Sequence, residues 1–399
     1  MDYESVVEQT ENLLTIHFGY PVQLDTITPI QTKGRFLIVR CQVNAPSATA
    51  PTSVIIKQMH TDLTDAKRME VDQTGRNEAA VLQTLPDSTG STKYAPRYYT
   101  GDHTQGLQVL EDLGDYPSLQ DVLYEQDFHR AKDALTQYGY YLATMQLAAR
   151  DRVDIYFSHS ERLGSLMRRD VQGWDLRDYL PKLRPCLQVF QIEIDGGFTE
   201  EIADLAQSLQ APGPFYTVSH CDAGPHNIMV LPNQSILIDF EYACFQHGFV
   251  DLIQARMAFP SAGFGRRSPQ HIIAQMEQVY RNEWAQVVPE IMNDQVFERA
   301  LLEAGAHIVM TTLLEYGQSG LTQLLTSIQP TDTPDFMTQR LLTFLKAYLE
   351  IPNAFDQLPK IRAVVRQIYD TISVHRPEVE PLAYFPAFQA DSSHQTGGK

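Results

Sequence analysis

The sequence predicts an α+β chain in two lobes: a small β-rich first lobe, and a larger helical second lobe that carries one small β hairpin. Three observations lead there. Apolar runs of strand length crowd the first third of the chain, at 23–30, 35–43 and 53–59. Helical periodicity dominates after Gly114. A short β island interrupts those helices at 215–241.

Each element follows in order. Residues 4–18 form an amphipathic helix with Val6, Val7, Leu13, Leu14 and Phe18 facing inward. The strand over 35–43 reads Arg35-Phe36-Leu37-Ile38-Val39-Arg40-Cys41-Gln42-Val43, and the strand over 53–59 reads Ser53-Val54-Ile55-Ile56-Lys57-Gln58-Met59. The linker 44–52 between them, with two prolines and a serine, suits a hairpin connection. A helix over 77–85 ends at Pro86, and short strands are expected at 97–100 and 106–113. Helices are expected at 118–125, 131–149, 161–182 and 199–209. The island holds a hairpin, 227–231 and 235–240, around Pro232-Asn233-Gln234. Helices then run from 251 to 373, and the polar tail 389–399 is expected to be flexible.

Composition limits the function classes. The chain has 399 residues, 43% hydrophobic and 20% charged, which is the composition of a folded protein. No apolar run approaches the ~18 residues of a membrane span. The start, Met1-Asp2-Tyr3-Glu4, lacks the basic and apolar regions of a signal peptide, so a cytoplasmic protein is expected. Cys41, Cys186, Cys221 and Cys244 are scattered, without the spacing of a zinc site, and read as free thiols. A net charge of −18 argues against nucleic-acid binding. It admits a cationic small-molecule partner, although solubility alone accounts for it. Oligomeric state has no signature in the sequence.

The chemistry-bearing residues fall in one pattern. Phosphoryl transfer needs cations to neutralise phosphate charge and a carboxylate to orient the attacking hydroxyl. Asp222 lies five residues before Asn227 in His220-Cys221-Asp222-Ala223-Gly224-Pro225-His226-Asn227. Asp239 follows twelve residues after Asn227, at the end of the apolar strand Ile236-Leu237-Ile238. A carboxylate at a buried strand end is costly unless paired or metal-bound. Asn227 and Asp239 supply the oxygen donors that magnesium takes. Lys57 interrupts an apolar strand and needs a partner, for which Glu78 on the next helix is suited. That leaves Lys57 for the α- and β-phosphates of ATP.

These residues resemble the aminoglycoside phosphotransferase and choline kinase superfamily, which has the bilobal protein-kinase-like fold. The pattern H-x-D-x-x-x-x-N is met by His220, Asp222 and Asn227, and I-D-[FW]-E by Ile238-Asp239-Phe240-Glu241. The resemblance implies that Asp222 is the catalytic base and that Asn227 and Asp239 bind magnesium. It matches Lys57 and Glu78 to the family's strand lysine and helix glutamate. It assigns the adenine contact to Leu110-Glu111-Asp112-Leu113, through Glu111 and Leu113, and the loop over the phosphates to Gly34. Asp251 matches an aspartate that braces the catalytic loop. The expected division is a nucleotide-binding lobe at 1–113, a catalytic and substrate-binding lobe at 114–388, and a tail at 389–399. The expected function is ATP- and magnesium-dependent transfer to a hydroxyl of a small molecule. A catalytically inactive, nucleotide-binding interaction module and a protein kinase are the alternatives.

Two features favour a small acceptor. Cys221 stands where protein kinases usually carry an arginine that reads an activation-loop phosphate. The stretch from Asp239 to Asp251 has no room for a long activation segment. Two departures from the family stand out: Ala223-Gly224-Pro225-His226 replaces the usual Leu-His-Pro-Gly, and Gln146 replaces a histidine. His220 reads as a brace, His226 as a solvated loop residue, and Glu241 as either a metal contact or a structural hydrogen bond. Trp174, Glu315 and Tyr316 could line an acceptor pocket, but core packing or surface placement is the preferred reading.

Overall fold

The structure is a computed structural model that describes residues 3–60, 63–86, 94–166, 176–260, 265–326 and 336–389. The chain opens with helix α1 (Tyr3–Phe18), followed by strands β1 (Gln23–Gln31), β2 (Phe36–Asn44) and β3 (Ser53–Met59). Helix α2 (Asp65–Thr84) precedes strands β4 (Tyr98–Asp102) and β5 (Leu107–Glu111). Helices α3 (Leu119–Tyr124), α4 (Phe128–Ala149), α5 (Val153–Leu163), α6 (Leu176–Gln188) and α7 (Gly196–Gln210) come next. Short strands β6 (Tyr216–Ser219), β7 (Ile228–Leu231), β8 (Gln234–Leu237) and β9 (Cys244–His247) follow. Helices α8 (Phe249–Arg256), α9 (Gln270–Trp284), α10 (Asp294–Thr326), α11 (Phe336–Leu349) and α12 (Pro359–His375) complete it. The α+β class expected from the sequence, strands first and helices after, is the class observed.

The chain divides into two compact units. The first comprises Met1–Tyr116, Asp151–Met167 and Ile236–Ala243. Its five-stranded sheet has the order β1-β2-β3-β5-β4, with every pairing antiparallel. Alternation along β3 sends Val54 and Ile56 to one face, where they join Leu37, Val39, Val109 and the α1 residues Val6 and Leu14 in a core. Val7, Leu13 and Phe18 pack at its margin, as the helix periodicity implied. Val54 and Ile56 are fully buried, which stabilises the unit by roughly 1.5–3 kcal/mol for each side chain. Lys57 points to the opposite face, with Phe36 and Met59. Helix α2 starts well before the expected 77, because the Thr64 hydroxyl caps it by accepting from the Lys67 N–H.

Two later segments join this unit for reasons of hydrogen bonding. The Asn77 Nδ2 on α2 donates to the carbonyls of Glu241 (3.1 Å) and Ala243 (2.8 Å). The Tyr156 hydroxyl on α5 donates to Asn77 Oδ1 at 2.7 Å. Arg76 Nη1 donates to the Leu163 carbonyl at 2.6 Å. The single helix expected over 161–182 is instead the end of α5 and the start of α6. Gly164 ends α5 in a left-handed cap (φ 68°), its N–H bonded to the Glu161 and Ser160 carbonyls.

The second unit comprises Pro117–Arg150, Arg168–Ser235 and Cys244–Lys399. Helices α4 and α9 pack closely at Gly139, where a Cβ would lie 2.7 Å from the Met276 carbonyl oxygen. Strand β6 pairs antiparallel with β9, Ser219 opposite Cys244. This second β pair was not expected from the sequence, because each strand is only four residues long. Strands β7 and β8 form a further two-stranded sheet, close to the expected hairpin. Among the described residues no helix is long and apolar enough to cross a membrane. Trp174 and residues 390–399 of the expected tail lie outside the described residues.

Candidate active site

In the first unit, charged side chains converge on Lys57. Its ammonium donates to Glu78 Oε2 at 2.7 Å and to Asp239 Oδ1 at 2.6 Å. It also sits 4.6 Å from the centre of the Phe36 ring. Strand β3 supplies Lys57, α2 supplies Glu78, and the turn after β8 supplies Asp239. Lys57 is 5% exposed and Glu78 1%. Burial by itself would lower the lysine, but Glu78, Asp239 and Glu241 outweigh it and raise it, so the ammonium stays charged. Burial raises the Glu78 carboxyl, with Lys57 pulling the other way. The Asp239 side chain is the accessible member, 37% exposed.

Asp239 adopts a left-handed backbone (φ 65°), a conformation unfavourable for a residue with a Cβ. The bonds around it hold that turn. Asn77 grips the carbonyls of Glu241 and Ala243, and the Arg35 guanidinium pairs with Glu241 and donates to the Tyr242 hydroxyl at 3.0 Å. Burial, then repulsion by Asp239, pushes the Glu241 carboxyl up, while Lys57 and Arg35 oppose. Glu241 is thus engaged by an arginine. Arg35 follows Gly34, whose φ of 97° suits glycine in the tight β1–β2 turn. Sequence reasoning missed Asn77, Tyr156 and the Arg35 pairing. Only Arg35, next to a turn glycine, had any local signal.

At the end of β5, the Glu111 N–H donates to the Arg97 carbonyl at 2.8 Å, and its carboxylate accepts from the Arg97 N–H at 3.2 Å. Asp112 accepts from Ser53 Oγ (2.6 Å), Arg40 Nη2 (3.0 Å) and the Gly114 N–H (3.0 Å). Leu113 is half-buried between them. The Asp112 network braces the segment that carries Glu111 and Leu113.

In the second unit, a loop follows β6. Asn227 Nδ2 donates to the Asp222 carbonyl at 3.0 Å and reaches Asp222 Oδ2 at 3.4 Å. The structure therefore brings these two predicted residues together. Asp222 is half-buried and Asn227 is 4% exposed. The backbone turns through Cys221 in the left-handed region (φ 63°), and Pro225–Asn227 forms a short 3-10 turn.

Asp251 on α8 holds this loop. Fully buried, it accepts from the His220 N–H (2.7 Å), the Cys221 N–H (3.0 Å), Ser219 Oγ (2.9 Å) and Gln146 Nε2 (3.3 Å). Burial raises its carboxyl, and the donors at His220, Ser219 and Cys221 oppose that. Gln146 also donates to the Gly248 carbonyl at 3.0 Å and accepts from the Tyr280 hydroxyl at 2.6 Å. The glutamine found in place of a histidine is thus part of the brace. His220 is buried and His226 exposed. Glu315 is exposed, and the Tyr316 hydroxyl donates to the Met337 carbonyl at 3.0 Å.

Carboxylates held beside a buried lysine, and a loop aspartate held beside an asparagine, are residue types that phosphoryl transfer uses. A model described as the phosphotransferase enzyme family matches residues 58–287, more than half of the 399. The chain belongs to the phosphotransferase enzyme family. The matched span contains Glu78, Asp222, Asn227, Asp239 and Asp251, and begins one residue after Lys57. Solved structures similar to this family member include a choline kinase from Cryptosporidium parvum Iowa II, 13% identical, with 93% of this chain and 99% of that chain covered and a TM-score of 0.46. Another is a macrolide 2′-phosphotransferase from Brachybacterium faecium, 13% identical, with 81% and 100% covered and a TM-score of 0.45. No curated protein is matched significantly by the chain.

Proposed function

We propose that this phosphotransferase moves the γ-phosphoryl group of ATP to a hydroxyl of a small molecule. The observation that carries the reading is Lys57, a buried ammonium kept charged between Glu78 and Asp239. A buried cation ordered in this way is suited to phosphate oxygens. Glu78 positions Lys57 for the α- and β-phosphates. Gly34 allows the turn that covers the phosphates, and the backbone of Glu111 and Leu113 receives the adenine ring. Asp222 orients the acceptor hydroxyl and takes its proton.

The donor set fits magnesium. Asp239 offers an accessible carboxylate, and Asn227 commits its Nδ2 to Asp222, so the end of the amide it presents elsewhere is an oxygen. Both are hard ligands of the kind that cation takes. Among the described residues, no group of three or more His, Cys, Asp or Glu is arranged to hold a metal on its own. When bound, magnesium would neutralise phosphate charge. The acceptor is a metabolite or an aminoglycoside-like compound, and the net charge of −18 suits a cationic one. Only eleven residues, 240–250, separate Asp239 from Asp251, and β9, Gly248 and the start of α8 occupy 244–250, which leaves no segment to receive a protein substrate.

The test uses radiolabelled ATP with a panel of amino alcohols, sugars, aminoglycosides and proteins. Transfer to a small hydroxyl compound is expected. Asp222→Ala should reduce turnover by about 100-fold or more while nucleotide affinity stays within about threefold. Wild-type turnover in that variant, or transfer to proteins alone, would overturn the reading.

A further inference from the structure

Beside the catalytic loop lies a pair of thiols that phosphoryl transfer does not use. Cys221 Sγ and Cys244 Sγ are 3.4 Å apart, and neither is joined in a disulfide. We propose that they form an oxidisable dithiol, and that the disulfide made by a peroxide stops phosphoryl transfer by shifting Asp222. The second clause rests on the functional reading above.

The geometry comes from the β6–β9 pairing. Cys244 lies opposite Ser219, and Cys221 is two residues beyond Ser219, where the chain turns back through the left-handed region (φ 63°). That turn brings the Cys221 sulfur over the neighbouring strand. Gln246 on the same strand donates through Nε2 to Cys221 Sγ at 3.1 Å and to Ser219 Oγ at 2.9 Å, which fixes the sulfur in place. Cys221 is half-buried and accessible to a small oxidant, whereas Cys244 is 1% exposed. An accessible thiol with a resolving cysteine beside it is the arrangement of a redox-sensitive pair.

The chemistry balances with hydrogen peroxide as co-reactant. The Cys221 thiolate attacks one peroxide oxygen, the O–O bond breaks, and a sulfenic acid and water result once a proton is taken up. The Cys244 sulfur then attacks the Cys221 sulfur. The S–O bond breaks, the S–S bond forms, and the hydroxyl leaves as water with the Cys244 proton. Two thiols lose two electrons, and one peroxide becomes two waters.

The mechanical consequence follows from distances. The sulfurs must close from 3.4 Å to about 2.05 Å. Cys244 is a buried, paired strand residue, so the loop is the part that yields. Cys221 is bonded directly to Asp222, and its N–H is one of those held by Asp251. A displacement of about 1 Å at a reacting group costs on the order of 100-fold in rate.

The experiment treats the reduced full-length protein with a small excess of hydrogen peroxide, blocks remaining thiols, and maps peptides by mass. The expected product joins the Cys221 peptide to the Cys244 peptide, two hydrogens lighter than their sum, with Cys41 and Cys186 still thiols. Phosphoryl transfer should fall at least tenfold, and return with dithiothreitol. Cys244→Ala should yield no such peptide, and Cys244→Ser serves if alanine fails to fold. Native protein without the cross-linked peptide, or with the cross-link and an unchanged rate, would sink the proposal. The cross-link is read without turnover, so a reduced protein that transfers no phosphate counts against the functional reading while the peptide map still decides the dithiol.

Discussion

Asp239 and Asp222 sit in turns that each contain a left-handed residue, at Asp239 itself and at Cys221. Around Asp239, in the first unit, the turn is held by charge and by one amide: Lys57, Glu78, Arg35 and Glu241 neutralise one another, and Asn77 holds two carbonyls. Around Asp222, in the second unit, the residues leading into the loop are braced by a single buried carboxylate, Asp251, that accepts two backbone N–H groups and two side chains. A charge cluster tolerates rearrangement, because protons can redistribute among its members. A lone acceptor does not, because each donor it abandons is left buried. The first region should therefore respond to charge and pH, and the second to the loss of one side chain.

The largest effect should come from Asp251→Ala. It leaves three donors without this acceptor and Gln146 Nε2 with only the Gly248 carbonyl, each loss costing about 1 kcal/mol or more, so a loss of about 4 kcal/mol is expected in urea unfolding. Any folded fraction should lose turnover about 100-fold, because the loop that places Asp222 is released. A loss below about 1 kcal/mol would erase the contrast.

Lys57→Met should cost about 3 kcal/mol at pH 8, because it leaves buried carboxylates without their cation. The sign with pH is set by Glu78 and Glu241, whose carboxyls are already raised. In the variant the native state binds more protons than the unfolded chain around neutral pH, so its stability falls as pH rises. Stability curves at pH 5.5 and pH 8 would read this, and a deficit independent of pH would break the charge-cluster account.

The smallest effect belongs to His247 on β9, buried and held neutral. Burial lowers it to about 3 from 6.5. Its stability contribution is complete above pH 6.5 and is lost as pH falls toward 3, because the unfolded chain takes up the proton first. Between pH 7 and pH 5 the native protein should lose about 2 kcal/mol through this group. His247→Gln should lose correspondingly less over the same interval. Equal losses in the two proteins would show that His247 does not carry the pH response.

The elements that could be read ahead of the structure share a local cause. Strand runs, helix periodicity and the turn glycine act within a few residues, so β2, β3, α4 and the α1 face were all legible. The spacing of Asp222, Asn227 and Asp239, and an isolated lysine in an apolar strand, singled out these residues because charges in such places need partners. The lengthened α2 and the break at Gly164 were missed because a cap depends on one or two residues against a longer periodic signal.

By itself, then, the sequence determined which residue types lie on which element, and the order of Lys57, Glu78 and the Asp222–Asn227 pair. Only the tertiary structure decided that Asp239 joins Lys57 across 182 positions, that Asn77 and Tyr156 hold its turn, that Asp251 gathers the loop amides, and that Cys221 meets Cys244. The physical reason is that backbone donors and acceptors carry no side-chain signature. Their partners are set by which strands pair and which helices cross, and those choices are made by the fold as a whole.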